Sequence, residues 1–206
     1  GSLQSVIVGA QLAHPADAKE LVQLQLVNNI FGGTFDSRIN MNLREDKHWT
    51  YGVRSELTHT AGQWPLMSVA PVQADKTAEA LHELVTEYVG ITGAHPITPA
   101  ELKSAQARET LAMPGRFETA GELAGAYSQI VEYGLPEDYF VTYTPTVLAL
   151  TTDEANALAR RTILSDRQVW LVVGDLAKIE TPIRALKLGE VYRIDADGKI
   201  LTGTKP

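Results

Sequence analysis

Five histidines, one arginine and one tyrosine are the residues of this 206-residue chain with most chemistry to offer. The histidines stand at His14, His48, His59, His82 and His95. Zinc held on a helix needs two imidazoles three or four residues apart on one face, and no pair here has that spacing. His82-Glu83 comes nearest to the inverted zinc motif, in which a glutamate and a second histidine follow three and four residues after the first. Val85 and Thr86 occupy those places, so His82 reads as an ordinary helix-surface or boundary residue. With no cysteine there is no thiolate ligand, thiol nucleophile or disulfide framework. The expectation is therefore no metal and no cofactor in this chain. Other catalytic signatures are missing as well: there is no G-x-S-x-G elbow and no phosphate-loop lysine motif. Gly32-Gly33 follows a helical pattern and reads as a helix stop, not a phosphate cradle. Val172-Val173-Gly174-Asp175 lacks the further glycines of a dinucleotide-binding turn and reads as a plain strand-to-helix connection.

Arg44 and Tyr51 remain. A guanidinium at the end of a short helix and a phenol at the start of the next strand could converge across the turn and offer fixed donors to a carbonyl oxygen. The residues alone leave a second reading open. In it Arg44 pairs with Glu45, Asp46 or Glu56, and Tyr51 packs with its hydroxyl near the surface. Trp49 is equally divided between filling a core and walling a substrate, and Glu45-Asp46-Lys47-His48 reads as a solvated turn.

The elements that must position this pair follow from periodicity. Residues 4 to 11 form a short β-branched run with the character of an interior strand. From Asp17, Leu21, Leu24, Val27, Ile30 and Phe31 recur at helical spacing as far as Gly32-Gly33. Thr34 or Asp36 is placed to cap a second, short helix in which Phe35, Ile39 and Leu43 share a face. Tyr51, Val53, Ser55 and Leu57 alternate with Gly52, Arg54, Glu56 and Thr58 as a half-buried strand, and Ala61-Gly62 turns it into a hairpin partner over Trp64 to Val72. Ala78, Leu81, Leu84, Val85 and Val89 then mark an amphipathic helix. Thr98, Pro99 and Glu101 write the start of the next helix as a capping box, and Pro114-Gly115 ends it. Further helices are expected over Phe117 to Tyr133, Glu137 to Leu148 and Thr152 to Ile163. A valine-rich strand follows over Gln168 to Val173, then a helix from Leu176 to Leu186 broken by Pro182. Val191 to Ile194 reads as a last edge strand, and the tail after Asp197-Gly198 as frayed.

This order of hairpins and clustered helices is not the regular alternation of a doubly wound parallel sheet. It predicts an α+β fold: an antiparallel or mixed sheet with helices packed mainly on one face, as a single domain over residues 1–206. Gly1-Ser2 reads as a cleavage scar, and the whole as an excised part of a longer protein. At 44% hydrophobic, the chain can bury roughly 70% of its unfolded surface and needs no staples. A net charge of −7 and a pI near 5.2 oppose binding to nucleic acid or anionic lipid. No apolar run approaches the roughly 20 residues that span a bilayer, so membrane insertion is not expected.

The stretch from Asn28 to Leu57 resembles the non-catalytic, C-terminal type of domain of the pitrilysin/insulinase family of zinc metallopeptidases. The resemblance is carried by Gly32-Gly33, Ser37-Arg38-Ile39, Leu43-Arg44-Glu45 and Tyr51-Gly52, with support from the late run around Val169 to Ile179. It implies the inactive half of an endopeptidase whose two similar halves, in one chain or two subunits, close around an extended peptide. Zinc and its ligands would lie on the partner half, while an arginine and a tyrosine seven residues apart, here Arg44 and Tyr51, reach the peptide substrate. Trp49-Thr50 departs from the smaller or aliphatic residues of many relatives. A periplasmic location follows from the exported bacterial relatives and not from these residues. A rival reading is a catalytically inert scaffold or a peptide-recognition domain that uses a sheet edge. A zinc motif in the partner half of the full gene separates the enzyme from the scaffold.

Overall fold

Alternation of apolar and small residues in β1 (Gln4–Ala13) puts Ser5, Ile7, Gly9, Gln11 and Ala13 on one side of the strand, where all five are buried. The computed structural model describes residues 2–60 and 62–201, and in it β1 lies inside the sheet. Three further strands complete it: β2 (Arg54–Leu57), β3 (Trp64–Gln73) and β4 (Val169–Val173), in the order β2-β3-β1-β4. Every pairing is antiparallel, with Val8 opposite Val69 on one side and Leu171 on the other. Ala61, half of the expected hairpin turn, lies outside the described residues, as do Gly1 and the tail from residue 202.

The two faces of the sheet differ sharply. On the inner face Ile7, Trp64, Leu66, Ala70 and Val72 join one core with Leu21, Leu24 and Val27 of α1 (Ala18–Asn28) and Leu81, Leu84 and Tyr88 of α3 (Thr77–Thr92). Gly9 is needed here for close approach: a Cβ at that position would stand 2.5 Å from the Trp170 ring, which lies over the strand. On the outer face Leu12, Met67, Val169, Leu171 and Val173 stay exposed, Val169 at 70%. The sheet is thus covered by helices on one face and presents an apolar surface on the other.

Between α1 and β2 comes α2 (Arg38–Asn40), which runs on as a π-helical stretch, Met41–Asp46. After α3 come α4 (Pro99–Ala112), α5 (Ala120–Tyr133), α6 (Tyr139–Ala149), α7 (Thr152–Thr162) and, beyond β4, α8 (Leu176–Ala185). The Thr98–Glu101 capping box forms as the sequence predicts, and Thr119–Glu122 and Thr151–Glu154 repeat the device.

Several boundaries fall elsewhere. Neither Thr34 nor Asp36 caps α2: the helix begins at Arg38, so Ser37 takes the N-cap position, without a side-chain bond, while Thr34 Oγ1 donates to Asn29 O at 2.9 Å. On α3 the inward side chains of the last turns are Tyr88 and Ile91, and Val89 is exposed. Pro182 does not break α8, which runs through it. Val191 to Ile194 forms no strand; a single bridge joins Ile194 to Ile200 across the Asp195–Gly198 turn. No helix among the described residues is long and apolar enough to cross a membrane.

Candidate functional site

The stretch bearing Arg44 and Tyr51 is built from two π-helical turns and the polar side chains that anchor them. α1 does not end abruptly at its glycine pair. Its last turn widens into a π-helix, Asn29–Gly33, a geometry that recurs at functional sites. Gly32 is packed so closely that a Cβ there would lie 2.5 Å from Ile39 Cδ1 and closer still to Ser55 Oγ. Asn28 fastens the end of α1 to β2: its Nδ2 donates to Ser55 O at 3.2 Å and its Oδ1 accepts from Ser55 Oγ at 2.7 Å. Asn29 Nδ2 donates to Glu109 Oε1 at 2.7 Å, while the Tyr143 hydroxyl donates to Glu109 Oε2 at 2.8 Å. Burial, reinforced by the Glu109 charge and hydrogen bond, pushes the Tyr143 phenol up and keeps it a donor.

α2 is locked by its first residue. Arg38 forms a fork with Glu101, Nε to Oε1 at 2.6 Å and Nη2 to Oε2 at 2.8 Å, and also donates to the carbonyls of His95 and Pro96. Burial pushes the Glu101 carboxyl up, but the hydrogen bonds from Arg38 and Thr98 outweigh it and hold the group down at about 2. Buried Asn40 then serves two segments at once: its Nδ2 donates to Phe35 O at 2.6 Å, and its Oδ1 accepts from Val53 N at 2.9 Å. One amide therefore fixes both the approach to α2 and the entry to β2.

On this frame Arg44 lies in the last turn of the π-helical stretch Met41–Asp46. Its guanidinium sits over the Phe35 ring, 4.3 Å from the centroid, and its Nε lies 3.4 Å from Glu45 Oε1. Of the carboxylates considered as partners from the sequence, Glu45 is the one that meets it. Phe35 does not share the inward face of Ile39 and Leu43. It precedes the helix and is 60% exposed, while those two are fully buried.

His48 turns the chain with φ of 59°, left-handed for a residue with a Cβ, and its Nδ1 donates to Arg44 O at 3.0 Å. Tyr51 lies ahead of β2 and is 89% exposed. The backbone around it is held: the Thr50 hydroxyl accepts from Gly52 N at 3.1 Å and donates to Pro71 O. Trp49 packs partly against the core, with Lys47 and Lys76 over its ring.

The five histidines lie in separate surroundings. His14 meets Glu20 at 2.9 Å and His48 bonds backbone, while His82 and His95 are surface residues of or just beyond α3. His59 is stacked between Trp64 and Tyr133, both 4.3 Å from its ring, and burial lowers its pKa. Among the described residues no three His, Asp or Glu side chains gather as a set that could hold a metal ion.

Arg44 and Tyr51 were the residues singled out by sequence. Phe35, Asn40 and the Arg38–Glu101 fork were not assigned a role at the site, although Glu101 stands out as a capping-box residue, Arg38 within the Ser37-Arg38-Ile39 segment and Phe35 by its helical spacing.

Comparison with known proteins agrees with this architecture. No curated protein sequence matches the chain significantly. A solved peptidase M16 inactive domain from Pseudomonas fluorescens superposes with a TM-score of 0.75 at 23% identity, covering 83% of this chain and 41% of that one. The inactive peptidase domain of a candidate zinc protease from Bordetella parapertussis gives 0.68 at 17% identity, covering 82% and 92%. The periplasmic protease PqqL of Escherichia coli gives 0.68 at 17% identity, covering 84% and 19%. The chain thus spans about two-fifths of the Pseudomonas relative and a fifth of the Escherichia one. At these identities the structures speak for the fold alone. The sequence itself supplies the rest, because the family model described as the peptidase M16 inactive domain matches residues 3–109, just over half of the chain. Matched by that family model over more than half of its length, and folded as such domains are, the chain belongs to the peptidase M16 inactive-domain family.

Proposed function

We propose that this chain is the non-catalytic half of a zinc-dependent endopeptidase, enclosing and positioning a peptide substrate for hydrolysis at a zinc site on a homologous zinc-bearing domain or subunit. The observation that carries the reading is Tyr51, an almost fully exposed phenol on a backbone tied down on both sides by Thr50 and Asn40. An aromatic ring held out in water by a fixed backbone gains nothing in the isolated fold, and gains much when a ligand covers it. Arg44 supplies cationic donors from the same surface stretch. The two groups orient the peptide by its carbonyl oxygen and stabilise the negative charge that develops there during attack. Zinc bound in the other half supplies the Lewis acid and the activated water.

The exposed apolar face of the sheet, with Leu12, Met67, Val169, Leu171 and Val173, supports a second packed body, and the zinc-bearing half is the one proposed. The periplasmic relative supports the same compartment for this protein. By itself the chain is expected to take up no stoichiometric zinc and to cleave no peptide.

The test uses the whole zinc-bearing assembly and an internally quenched peptide mixture. Arg44→Ala or Tyr51→Phe should lower turnover by about 100- to 1000-fold, the range for losing one donor to a developing oxyanion. Zinc content and melting temperature should not change. Wild-type turnover in both variants would remove the pair from the mechanism.

A further inference from the structure

We propose that Phe35 is a positioning residue for Arg44, an aromatic seat that holds the guanidinium edge-outward toward the peptide; the proposal rests on the substrate-contact reading of Arg44. Phe35 is an anomaly in this fold. The residues at helical spacing after it, Ile39 and Leu43, are sealed in the core, yet Phe35 keeps 60% of its surface in water. What its ring does cover is the guanidinium of Arg44, with Cζ 4.3 Å from the centroid.

The seat itself is fixed. Phe35 O accepts from the buried Asn40 amide, and the residues on either side, Thr34 and Asp36, are both held by Arg108 of α4. The same Asn40 side chain accepts from Val53 N, just past Tyr51. Ring, guanidinium and phenol are thereby referred to one buried amide.

The geometry has a chemical consequence. A guanidinium held over a ring by cation–π attraction spends no hydrogen bond on it and keeps its N–H groups for another acceptor. Glu45 approaches Nε at 3.4 Å, outside good hydrogen-bonding range, and both side chains are solvated. The terminal N–H groups are therefore pre-oriented to donate to a backbone carbonyl, at little rotamer entropy cost on binding. An arginine without the ring would sample many rotamers and fall back on Glu45.

A double-mutant cycle in the zinc-bearing assembly, read by cleavage of internally quenched peptides, tests this. Phe35→Leu, apolar but with no π face, should lower kcat/KM about two- to fivefold, the size of an exposed cation–π contact. Phe35→Tyr should keep the wild-type rate. In an Arg44→Ala background Phe35→Leu should have no further effect.

A second readout needs no activity. In the NMR spectrum of the chain, the Arg44 Nε–H and Cδ–H resonances should be shifted upfield by the ring current in wild type and Phe35→Tyr, and return to ordinary positions in Phe35→Leu. If Arg44→Ala cleaves at the wild-type rate, the underlying reading of Arg44 falls. If Arg44→Ala is slow but Phe35→Leu is fully active, or is equally damaging with and without Arg44, the role of Phe35 is refuted while that of Arg44 stands. Absence of the upfield shift in wild type refutes the seat directly.

Discussion

Replacing Glu101 by Gln keeps the capping box, since an amide oxygen can accept from Thr98 N, but takes the charge away from Arg38. Arg38 opens α2, and Arg44 lies in the last turn of its π-helical continuation, so the fork anchors the start of the proposed contact stretch. The fall of the Glu101 carboxyl from 4.5 to about 2 would carry about 3.4 kcal/mol if nothing screened it. With Glu101 and Arg38 retaining 31% and 13% of their side-chain surface, screening reduces this to about 1–2 kcal/mol. A depressed carboxyl stabilises the fold fully above its unfolded pKa and loses that contribution as pH falls through its folded one. Urea melts of wild type and Glu101→Gln should therefore differ by about 1–2 kcal/mol at pH 7. The gap should hold until about pH 4.5 and close progressively toward about pH 2. A gap that is constant with pH, or none at pH 7, would refute the assignment of Arg38 and Glu101 as a charge-dependent latch.

Three further perturbations probe the frame around the site. Asn40→Ala should cost about 2–3 kcal/mol in urea melts, since it removes two bonds and leaves the buried Val53 N–H without an acceptor. Gly32→Ala should cost about 1–3 kcal/mol through overpacking against Ile39 and Ser55, and adding Ser55→Gly should recover part of it. At His48, with φ of 59°, both Gly and Ala lose the bond to Arg44 O, but only Gly relieves the backbone. His48→Gly should therefore be about 1 kcal/mol more stable than His48→Ala, by thermal or urea melts.

Much of this architecture is legible in the chain, for reasons that can be named. Strand β1 announces itself as a short β-branched run, β3 as the hairpin partner after a turn, and α4 by Thr98-Pro99-Glu101, because those signals are local and the structure uses them as written. Phe35 was misplaced because helical spacing was extended one turn too far. Ser37 starts α2, so Phe35 falls before it and turns outward. The π-helical turns left no mark, since an i+5 pattern over five or six residues is too short to separate from an ordinary helix. Val191 to Ile194 has strand-like composition but, among the described residues, pairs only through the Ile194–Ile200 bridge, and propensity without a paired strand makes no sheet. Arg44 and Tyr51 stood out by residue type. Their supports, Asn40 and Phe35, act through contacts across the fold that no single-sequence pattern encodes.

The central claim is that Arg44 and Tyr51 face the peptide. It is met most directly by a structure of the entire zinc-bearing assembly with an extended peptide bound, the catalytic base of the other half having been replaced to prevent turnover. The account predicts the Arg44 guanidinium and the Tyr51 hydroxyl within about 3 Å of a peptide carbonyl oxygen. A bound peptide that touches neither side chain would overturn that placement.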